Sequence, residues 1–594
     1  MKPSRPTPPS RKAAPEAPPG FRLAAFFLWL LVLVPPFLLM PIAKESFRQP
    51  KLQASEWLAL ASLAALAWGL RRAGRVRLGG LWRLPAVRVA LPALIVATAG
   101  LAFTRHPVQV REGLIDLWIG GAALVGWSLL PEGLRGRLLR GLLWPASALA
   151  LIGILQFHGV WRPLELFGIA ADSRLAVTSL AGNPGDLGAY LVLPALIAQA
   201  WLRRRLREGE RGAAWGTALA LFLSVYALLV TQTLAAAAAL VAGSLVLWGS
   251  LLPRRRAAIL LAGGVVVAVA LAAAVPPLRH RIVDKSQQAF RGDWNQVLTG
   301  RLDGWRAALW MLEQRPLTGV GHGAYRPEFV PAKLDLLDRG VEFFPEQQTV
   351  FANAHDEPLE VAAEWGVPGL LVLAWWAWVL IAALRRPREA LEPGALAWAG
   401  TAALAVLSLA YFPFRVALVA FPALLFLSDV LRAPVDEEGE GEEAGIPRRA
   451  LAAALAVLLL LALAGQTVRW RDRASASRLL RKVELLSIAA VSAGRVSPGL
   501  IAANLEDLRT AAPRDPVEVG IPIARGTQYL FLDRAEPAER SYAEALALEP
   551  RPEGYLNLGR AQWLGGRREE ARRSFQTALR LDPGLAREVP AGAL

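Results

Sequence analysis

The residue best suited to proton transfer is His355, one of only five histidines in the 594-residue chain. A neutral imidazole titrates near working pH and can take a proton from a hydroxyl group. Asp356 follows it and can fix the tautomer of the ring, although His355 can also be read as a residue that only caps a helix beginning near Glu357. The sequence therefore predicts His355 as a general base and Asp356 as the residue that orients it.

Metal binding is the alternative use of these side chains. His322, His355 and Asp356 are conceivable ligands, but no histidine pair stands at helical ligand spacing and the chain has no cysteine. We therefore expect a metal-independent site without a cofactor.

The glycine-rich run from Gly319 to Gly323 is not a nucleotide-binding loop, because no strand–helix unit surrounds it. It predicts a tight turn whose backbone bends sharply or approaches another segment closely, with His322 in a structural role.

Long apolar runs surround these candidate residues, and 54% of the chain is hydrophobic. A helix needs about 20 apolar residues to cross the hydrocarbon core of a bilayer. Runs of that length predict an all-α, polytopic membrane bundle of about 12–13 spans, near residues 22–42, 54–70, 86–103, 113–130, 138–157, 187–202, 214–231, 234–252, 257–275, 366–384, 395–411, 415–432 and 450–466.

Arginine clusters in alternate loops orient these spans, because positive residues collect on the cytoplasmic side. The clusters begin at Arg71, Arg135, Arg203, Arg254 and Arg385. The net charge of +17 thus comes from arginines that orient the spans in the membrane, and we expect no nucleic-acid partner. Residues 276–365 then form a large extracytoplasmic loop.

Composition divides the chain into five regions. Residues 1–20 predict a disordered cytoplasmic tail, and residues 21–432 a transmembrane domain. Residues 433–449 include an acidic stretch that predicts a solvated cytoplasmic linker. Residues 450–466 predict a last span, which places residues 467–594 outside, beside the large loop.

A period of 33–34 residues marks the C-terminal region. Aromatic, alanine, proline and glycine residues recur with it: Tyr542, Ala545, Pro550 and Gly526 return as Phe575, Ala578, Pro583 and Gly559. The period and the residue types resemble those of a tetratricopeptide repeat. The sequence predicts two repeats and a preceding half repeat over residues 500–585, and such arrays bind partners or only pack.

Five motifs follow one another along the central part of the chain: Arg174–Tyr190 with its Gly-Asn-Pro segment, Gly300–Arg306, Pro316–Tyr325, Phe351–Gly369 and Phe412–Arg415. In order and spacing they resemble the signature of the O-antigen ligase and O-antigen polymerase family.

The resemblance implies a bacterial inner-membrane glycosyltransferase of several spans. Such an enzyme moves a glycan from an undecaprenyl-diphosphate carrier to an acceptor hydroxyl on the periplasmic face, with inversion, in polymerisation or ligation of O-antigen or exopolysaccharide. Its expected partners are that donor, the acceptor, the lipid bilayer and a protein bound by the repeats.

The resemblance also suggests which cations meet the diphosphate. Guanidinium groups bind phosphate bidentately and stay protonated. Arg301 matches the family's essential arginine, and Arg306, five residues later, would lie on a neighbouring part of a helix surface. Arg306 can equally be read as a solvated arginine of an amphipathic loop helix. Arg174 and Arg415 are further outward cations, although an arginine at a membrane boundary can also extend harmlessly to the lipid headgroups.

The chain departs from the family pattern at two places. The family's His-Asn is His355-Asp356 here, and the turn Thr231–Ala235 lacks the arginine that the family's Thr-x-Ser-Arg-Gly turn directs to the phosphates. Either another cation, such as Arg174 or Arg415, substitutes for it, or donor binding is altered.

Several functions stay open. The acceptor can be lipid A–core, a carrier-linked repeat unit, or a serine or threonine of a protein, and an outward repeat domain mildly favours the last two. The non-enzymatic alternative is a transporter or a scaffold that presents the repeats. A transporter is expected to carry ionisable residues or broken helices at mid-membrane depth, whereas the predicted spans are nearly free of ionisable residues.

Overall fold

The computed structural model describes residues 19–40, 46–71, 75–76, 81–161, 177–274, 276–343, 350–388, 391–432 and 446–594. Most of the predicted tail, most of the acidic linker and Arg174 therefore lie outside the described residues. The membrane part comprises α1 (Pro19–Leu33), α2 (Arg48–Gly69), α3 (Pro85–Ala99), α4 (Pro107–Ser128), α5 (Glu132–Gly141), α6 (Leu143–Phe157), α7 (Pro184–Glu208), α8 (Arg211–Val230), α9 (Leu234–Leu251), α10 (Arg254–Ala274), α15 (Glu357–Leu384), α16 (Leu391–Ser408) and α17 (Ala417–Val430).

The segment between α10 and α15 is itself helical. It contains α11 (Pro276–Phe290), α12 (Trp294–Val297), α13 (Arg301–Gln314) and α14 (Tyr325–Asp338). The C-terminal part comprises α18 (Arg448–Ser492), α19 (Pro498–Ala511), α20 (Gly520–Leu530), α21 (Ala535–Leu548), α22 (Pro552–Leu564) and α23 (Arg568–Leu581). Two short strands, Arg75–Val76 and Ile446–Pro447, pair antiparallel.

Within the described residues, nine helical segments are long and apolar enough to cross a membrane. The predicted all-α, multi-span architecture is confirmed, but fewer of the described helices are long and apolar enough to span a membrane than the thirteen apolar runs suggested. The other runs fold as α2, α4, α10 and α17. Helix α17 has only 14 residues, and α4 carries Glu112 and Asp116 in its first half.

Three of the arginine-rich loops, those of Arg135, Arg203 and Arg388, meet at one end of the bundle. Arg135 and Arg388 both bind Asp429, at 3.1 and 2.9 Å, and Arg203 binds Glu392 at 2.7 Å. These contacts place three loops of the predicted cytoplasmic side together. Segments predicted to face outward meet at the other end, where Thr104 donates to the Val320 carbonyl at 2.7 Å and Arg315 donates to the Phe103 carbonyl at 2.9 Å.

Helix α18 runs for 45 residues without interruption, about 68 Å at 1.5 Å per residue. Its first half contains the predicted last span. Its second half packs on α19 through Ala476, Leu480 and Leu508, so the membrane helix continues directly into the repeat domain.

The repeat domain consists of the helix pairs α20–α21 and α22–α23, as the 33-residue period predicts. A Cβ on Gly526 would lie 2.7 Å from the ring of Tyr542, and one on Gly559 would lie 2.6 Å from the ring of Phe575. Each aromatic ring thus fills the gap that the opposing glycine leaves.

The repeats contact the large loop. Lys333 of α14 donates a hydrogen bond to the Leu581 carbonyl at 3.2 Å, and Arg326 binds Glu549 at 3.0 Å. The repeat domain therefore lies at the same end of the bundle as α11–α14.

Candidate active site

His355 lies at the entrance to α15, in a left-handed backbone conformation with φ of 58°. Its ring stands edge-on to Phe412 and Phe351, with centroids 4.8 and 6.0 Å away. Nδ1 is buried and has no hydrogen-bond partner among the described residues. Burial, and then the charges of Arg301 and Arg48, lower the pKa of His355 to about 3. The imidazole is therefore neutral near pH 7.

Asp356 is the N-cap of α15, which fixes the position of the backbone beside His355. Its Oδ1 accepts a hydrogen bond from the Leu359 N–H at 2.8 Å. Burial raises the pKa of Asp356, while this hydrogen bond acts in the opposite direction. The structure therefore gives the carboxylate a capping contact, and its predicted effect on the tautomer of His355 stays a prediction.

Arg301 is the first residue of α13 and follows Gly300, which has φ of 78°. It forms no ion pair with any residue that the structure describes, although it is largely buried. Burial, and then repulsion from Arg281, lower the pKa of Arg301, while Tyr411 acts in the opposite direction. An uncompensated guanidinium group at a helix N-terminus is suited to bind an anion.

Arg281, on α11, is the second cation beside Arg301. Its Nη1 donates to Oε1 of Gln232 at 3.3 Å, while its Nε is buried without a partner among the described residues. Gln232 has φ of 55°, and it occupies the turn between α8 and α9 where the family pattern has an arginine. Arg281 therefore brings a guanidinium group to the turn that lacks one.

Arg48, at the start of α2, is the third cation. It binds Asp186 through two hydrogen bonds of 3.0 Å, and the Tyr411 hydroxyl donates to the same carboxylate at 2.6 Å. Its guanidinium group also lies 5.7 Å from the centroid of the Phe412 ring. We call Arg48, Arg281, Arg301 and His355 the arginine pocket.

Arg306, a further predicted diphosphate contact, is not among the residues of the arginine pocket. Arg306 is exposed on α13, where it donates to the Glu342 carbonyl at 2.6 Å and lies 3.7 Å from Asp303. It shares a helix with Arg301, as predicted, but these contacts hold it at the solvent-facing side. Arg174 lies outside the described residues, so its predicted role stays a prediction.

Arg415 is buried against three carboxylates on one face of α15. Its guanidinium group lies 3.6 Å from Glu357, 3.1 Å from Glu360 and 2.7 Å from Glu364. Burial alone would lower the pKa of Arg415, but the three glutamates outweigh it and raise that pKa. We call these four residues the Arg415 lock. Arg415 is thus engaged by protein carboxylates, an arrangement that sequence alone did not indicate.

The lock holds the backbone around His355. Oε2 of Glu360 accepts from the Ala354 N–H at 2.9 Å, and Oε1 of Glu364 accepts from the Gly323 N–H at 2.9 Å. His322 Nδ1 lies 3.0 Å from Oε2 of Glu364, which gives His322 a structural contact.

The glycine-rich run approaches α15 closely, as its composition predicts. Gly319 has φ of 62°, and a Cβ there would lie 2.2 Å from the Glu364 backbone. Gly366 has φ of 67° and interrupts the regular geometry of α15, and a Cβ there would lie 2.4 Å from the Pro316 carbonyl oxygen. Among the described residues, no group of three or more histidine and carboxylate side chains is arranged to hold a metal ion.

Two regions of the chain match known families. Residues 219–374 match the O-antigen ligase family model, and residues 552–585 match the tetratricopeptide repeat model. The chain carries an O-antigen ligase domain. The resemblance stated from the motifs is thereby confirmed, and it supports an activity of the ligase or polymerase type in a multi-pass membrane protein. No curated protein matches the chain.

The O-antigen ligase match contains part of the arginine pocket. Gln232, Arg281, Arg301 and His355 fall inside it, whereas Arg48 falls outside it. Sequence reasoning missed Arg48 and Arg281. Both stand in segments predicted to face outward, and an arginine on the side where positive residues are depleted is the signal that could have identified them.

Proposed function

We propose that this protein is a glycosyltransferase that moves a glycan from undecaprenyl diphosphate to an acceptor hydroxyl on the periplasmic face of the inner membrane. One observation carries the proposal: a neutral histidine and three arginines from distant segments meet at one end of the membrane bundle. Asp186 pairs with Arg48, and the diphosphate donor supplies the negative charge that Arg281 and Arg301 lack among the described residues.

The chemistry follows from the groups in the pocket. The acceptor oxygen attacks the anomeric carbon, and His355 takes the hydroxyl proton. The bond between that carbon and the diphosphate oxygen breaks, and its electron pair stays on the diphosphate. Arg301 and Arg281 stabilise the charge that develops there. A single displacement of this kind inverts the anomeric carbon and requires no metal ion.

Donor binding would also activate the base. With a pKa of about 3, His355 is a weak base in the free protein. A bound diphosphate would offset the charges of Arg301 and Arg48 that lower this pKa. The base would therefore strengthen when the donor is in place, so that proton transfer follows donor binding.

The side of the membrane follows from the charge pattern. The arginine-rich loops of Arg135, Arg203 and Arg388 lie at the end opposite to the arginine pocket, and positive loops stay cytoplasmic. The pocket, the large loop and the repeats at residues 467–594 would then be periplasmic, and the repeats would be available to a protein partner.

The identity of the acceptor distinguishes a polymerase, a ligase and a protein transferase. The repeats pack beside the loop, which favours an acceptor on a growing polymer or on a protein over lipid A–core. A deletion strain separates these cases. Single repeat units on the core indicate a polymerase, polymer retained on the carrier indicates a ligase, and a normal glycan with an unmodified protein indicates a protein transferase.

The test of the proposal is His355→Ala in the full chain. We expect transfer to fall by about 10²–10⁴-fold, the usual contribution of a general base. Expression of the variant should match that of the wild type. His158→Ala, which removes an exposed histidine bound to Tyr226, is the matched control. Wild-type transfer by His355→Ala would contradict the proposal.

A further inference from the structure

A second polar site lies between α2 and α18, outside the arginine pocket. It is a small cleft bordered by Gln53, Glu56, Trp57, Gln466, Arg469 and Trp470. Both helices reach the large-loop end of the bundle here, since α2 begins at Arg48 and α18 continues from here into the repeats. The cleft therefore lies where the membrane part meets the outward domain.

The cleft and the arginine pocket share the first turns of α2. Gln49, Gln53 and Glu56 are spaced i, i+4 and i+7, so they lie on one face of that helix, which lines the cleft. Arg48 lies one residue from Gln49 and about 100° around the helix, and its side chain reaches Asp186 in the pocket. A chain molecule can therefore contact both places at once.

Two buried polar groups in the cleft have no partner among the described residues. They are Nε2 of Gln53 and Oε1 of Glu56, in side chains that are 8% and 2% exposed. The first is a donor, and the second belongs to a carboxyl group that can donate or accept. A hydroxyl group can satisfy both at once, because it carries one donor hydrogen and accepting lone pairs.

The charges around the cleft disfavour an anionic ligand. Arg469 binds Glu112 and Asp116, and Arg473 binds Glu112 and Asp515. Three carboxylates, those of Glu112, Asp116 and Asp515, thus stand against two guanidinium groups. Phosphate would meet net negative charge here, which contrasts with the arginine pocket.

The apolar part of the cleft is aromatic. Trp57 and Trp470 border it, and the Trp470 side chain is 40% exposed. Indole rings next to a few placed polar groups are typical of sites for ligands with both polar edges and apolar faces.

We propose that the cleft is a saccharide subsite that holds an uncharged sugar unit of the glycan. Its hydroxyls pair with Gln53 and Glu56, and its carbon–hydrogen face lies on Trp470. The inference rests on the proposed function, because it assigns the glycan a second contact beside the site of transfer. The sugar belongs either to the donor glycan or to a glycan acceptor.

The test measures binding separately from transfer. The full chain is placed in nanodiscs of zwitterionic lipid and titrated calorimetrically with oligosaccharide released from the producing bacterium's own surface glycan. We expect Trp470→Ala and Gln53→Met to weaken binding by at least tenfold, and Trp470→Phe to restore most of it. Trp68→Ala removes a similarly exposed indole, 44% exposed, at the opposite end of α2 and should bind as the wild type does.

The outcomes distinguish the two proposals. His355→Ala should bind the oligosaccharide normally while its transfer is lost. Unchanged affinity in both cleft variants, or no binding by the wild type, overturns the subsite and leaves the transferase proposal standing. If the cleft variants lose binding to anionic lipid while their saccharide binding is unchanged, the saccharide subsite is also overturned. A rise in KM for donor alone or for acceptor alone identifies which glycan occupies the cleft.

Discussion

The arginine pocket and the Arg415 lock lie close together in the fold and differ in how their charge is balanced. Arg415 faces three glutamates of α15, which compensate its charge with protein groups. Arg301 has no ion pair among the described residues and lies beside Arg281. An arginine whose charge is already matched holds the fold, whereas an arginine without a counter-charge is available to a substrate anion.

Replacing the cation of the lock should have the largest effect. Arg415→Gln would leave Glu357, Glu360 and Glu364 buried without a counter-charge, which costs about 3–5 kcal/mol of folding free energy. We expect a lower yield of folded protein and a lower unfolding temperature, measured by size-exclusion chromatography and thermal unfolding in detergent. A stable but inactive Arg415→Gln would instead place Arg415 in the substrate site.

Removing the uncompensated cation should leave the fold intact and slow transfer. Arg301→Gln is expected to lower kcat/KM by about 10²–10³-fold, as loss of one preorganised charge-stabilising donor does. Its unfolding temperature should stay at the wild-type value or rise, because repulsion from Arg281 is relieved. Arg306→Gln, on the exposed side of the same helix, is the control and should change transfer by less than about twofold.

The largely buried His355 makes stability depend on pH. The pKa of His355 is about 3 in the folded protein, below its ordinary value of 6.5, so only the unfolded chain takes up the proton as pH falls below 6.5. The resulting loss of stability is about 2 kcal/mol at pH 5.

The measurement compares unfolding temperatures at pH 7.5 and pH 5. His355→Asn does not titrate in this range and tolerates the left-handed backbone, so its stability should fall less between the two values. An equal fall in both proteins would mean that His355 is not buried in the neutral form.

The smallest effect is expected at the substituted turn. Arg281→Gln should lower transfer by about tenfold, or 1.4 kcal/mol, because Arg301 still faces the donor. Gln232→Arg in that background should restore much of the activity, since position 232 already contacts the Arg281 guanidinium group. Failure of this rescue, with both variants folded, would mean that the two positions are not interchangeable sources of charge.

Local patterns in the sequence anticipated much of the fold. Apolar runs gave the membrane helices, the 33-residue period gave the helix pairs, and Gly319 and Gly323 gave a close turn. The entrance to α15 was also expected, because His355 and Asp356 precede a long apolar run. Each of these features depends on residues that are separated by no more than about one 33-residue repeat in the sequence.

The partners within the site could not be predicted in the same way. Arg48 and Asp186 are 138 residues apart, and Arg415 meets Glu364 across 51 residues. Such contacts depend on how the helices pack, which residue spacing does not report. Sequence therefore identified Arg415 as an outward cation without its glutamates, and it gave no reason to connect Arg281 with the turn at Gln232.

Because α18 is uninterrupted, it sets the direction in which the repeat domain faces around the helix axis. Because the membrane helix and the first repeat helix are one rod, each residue inserted between Gln466 and Ala476 would turn the repeats by about 100° and raise them by about 1.5 Å. The contacts of Leu581 with Lys333 and of Glu549 with Arg326 are met at one such setting. The length of α18 therefore fixes both the height of the repeats above the membrane and the direction in which they face.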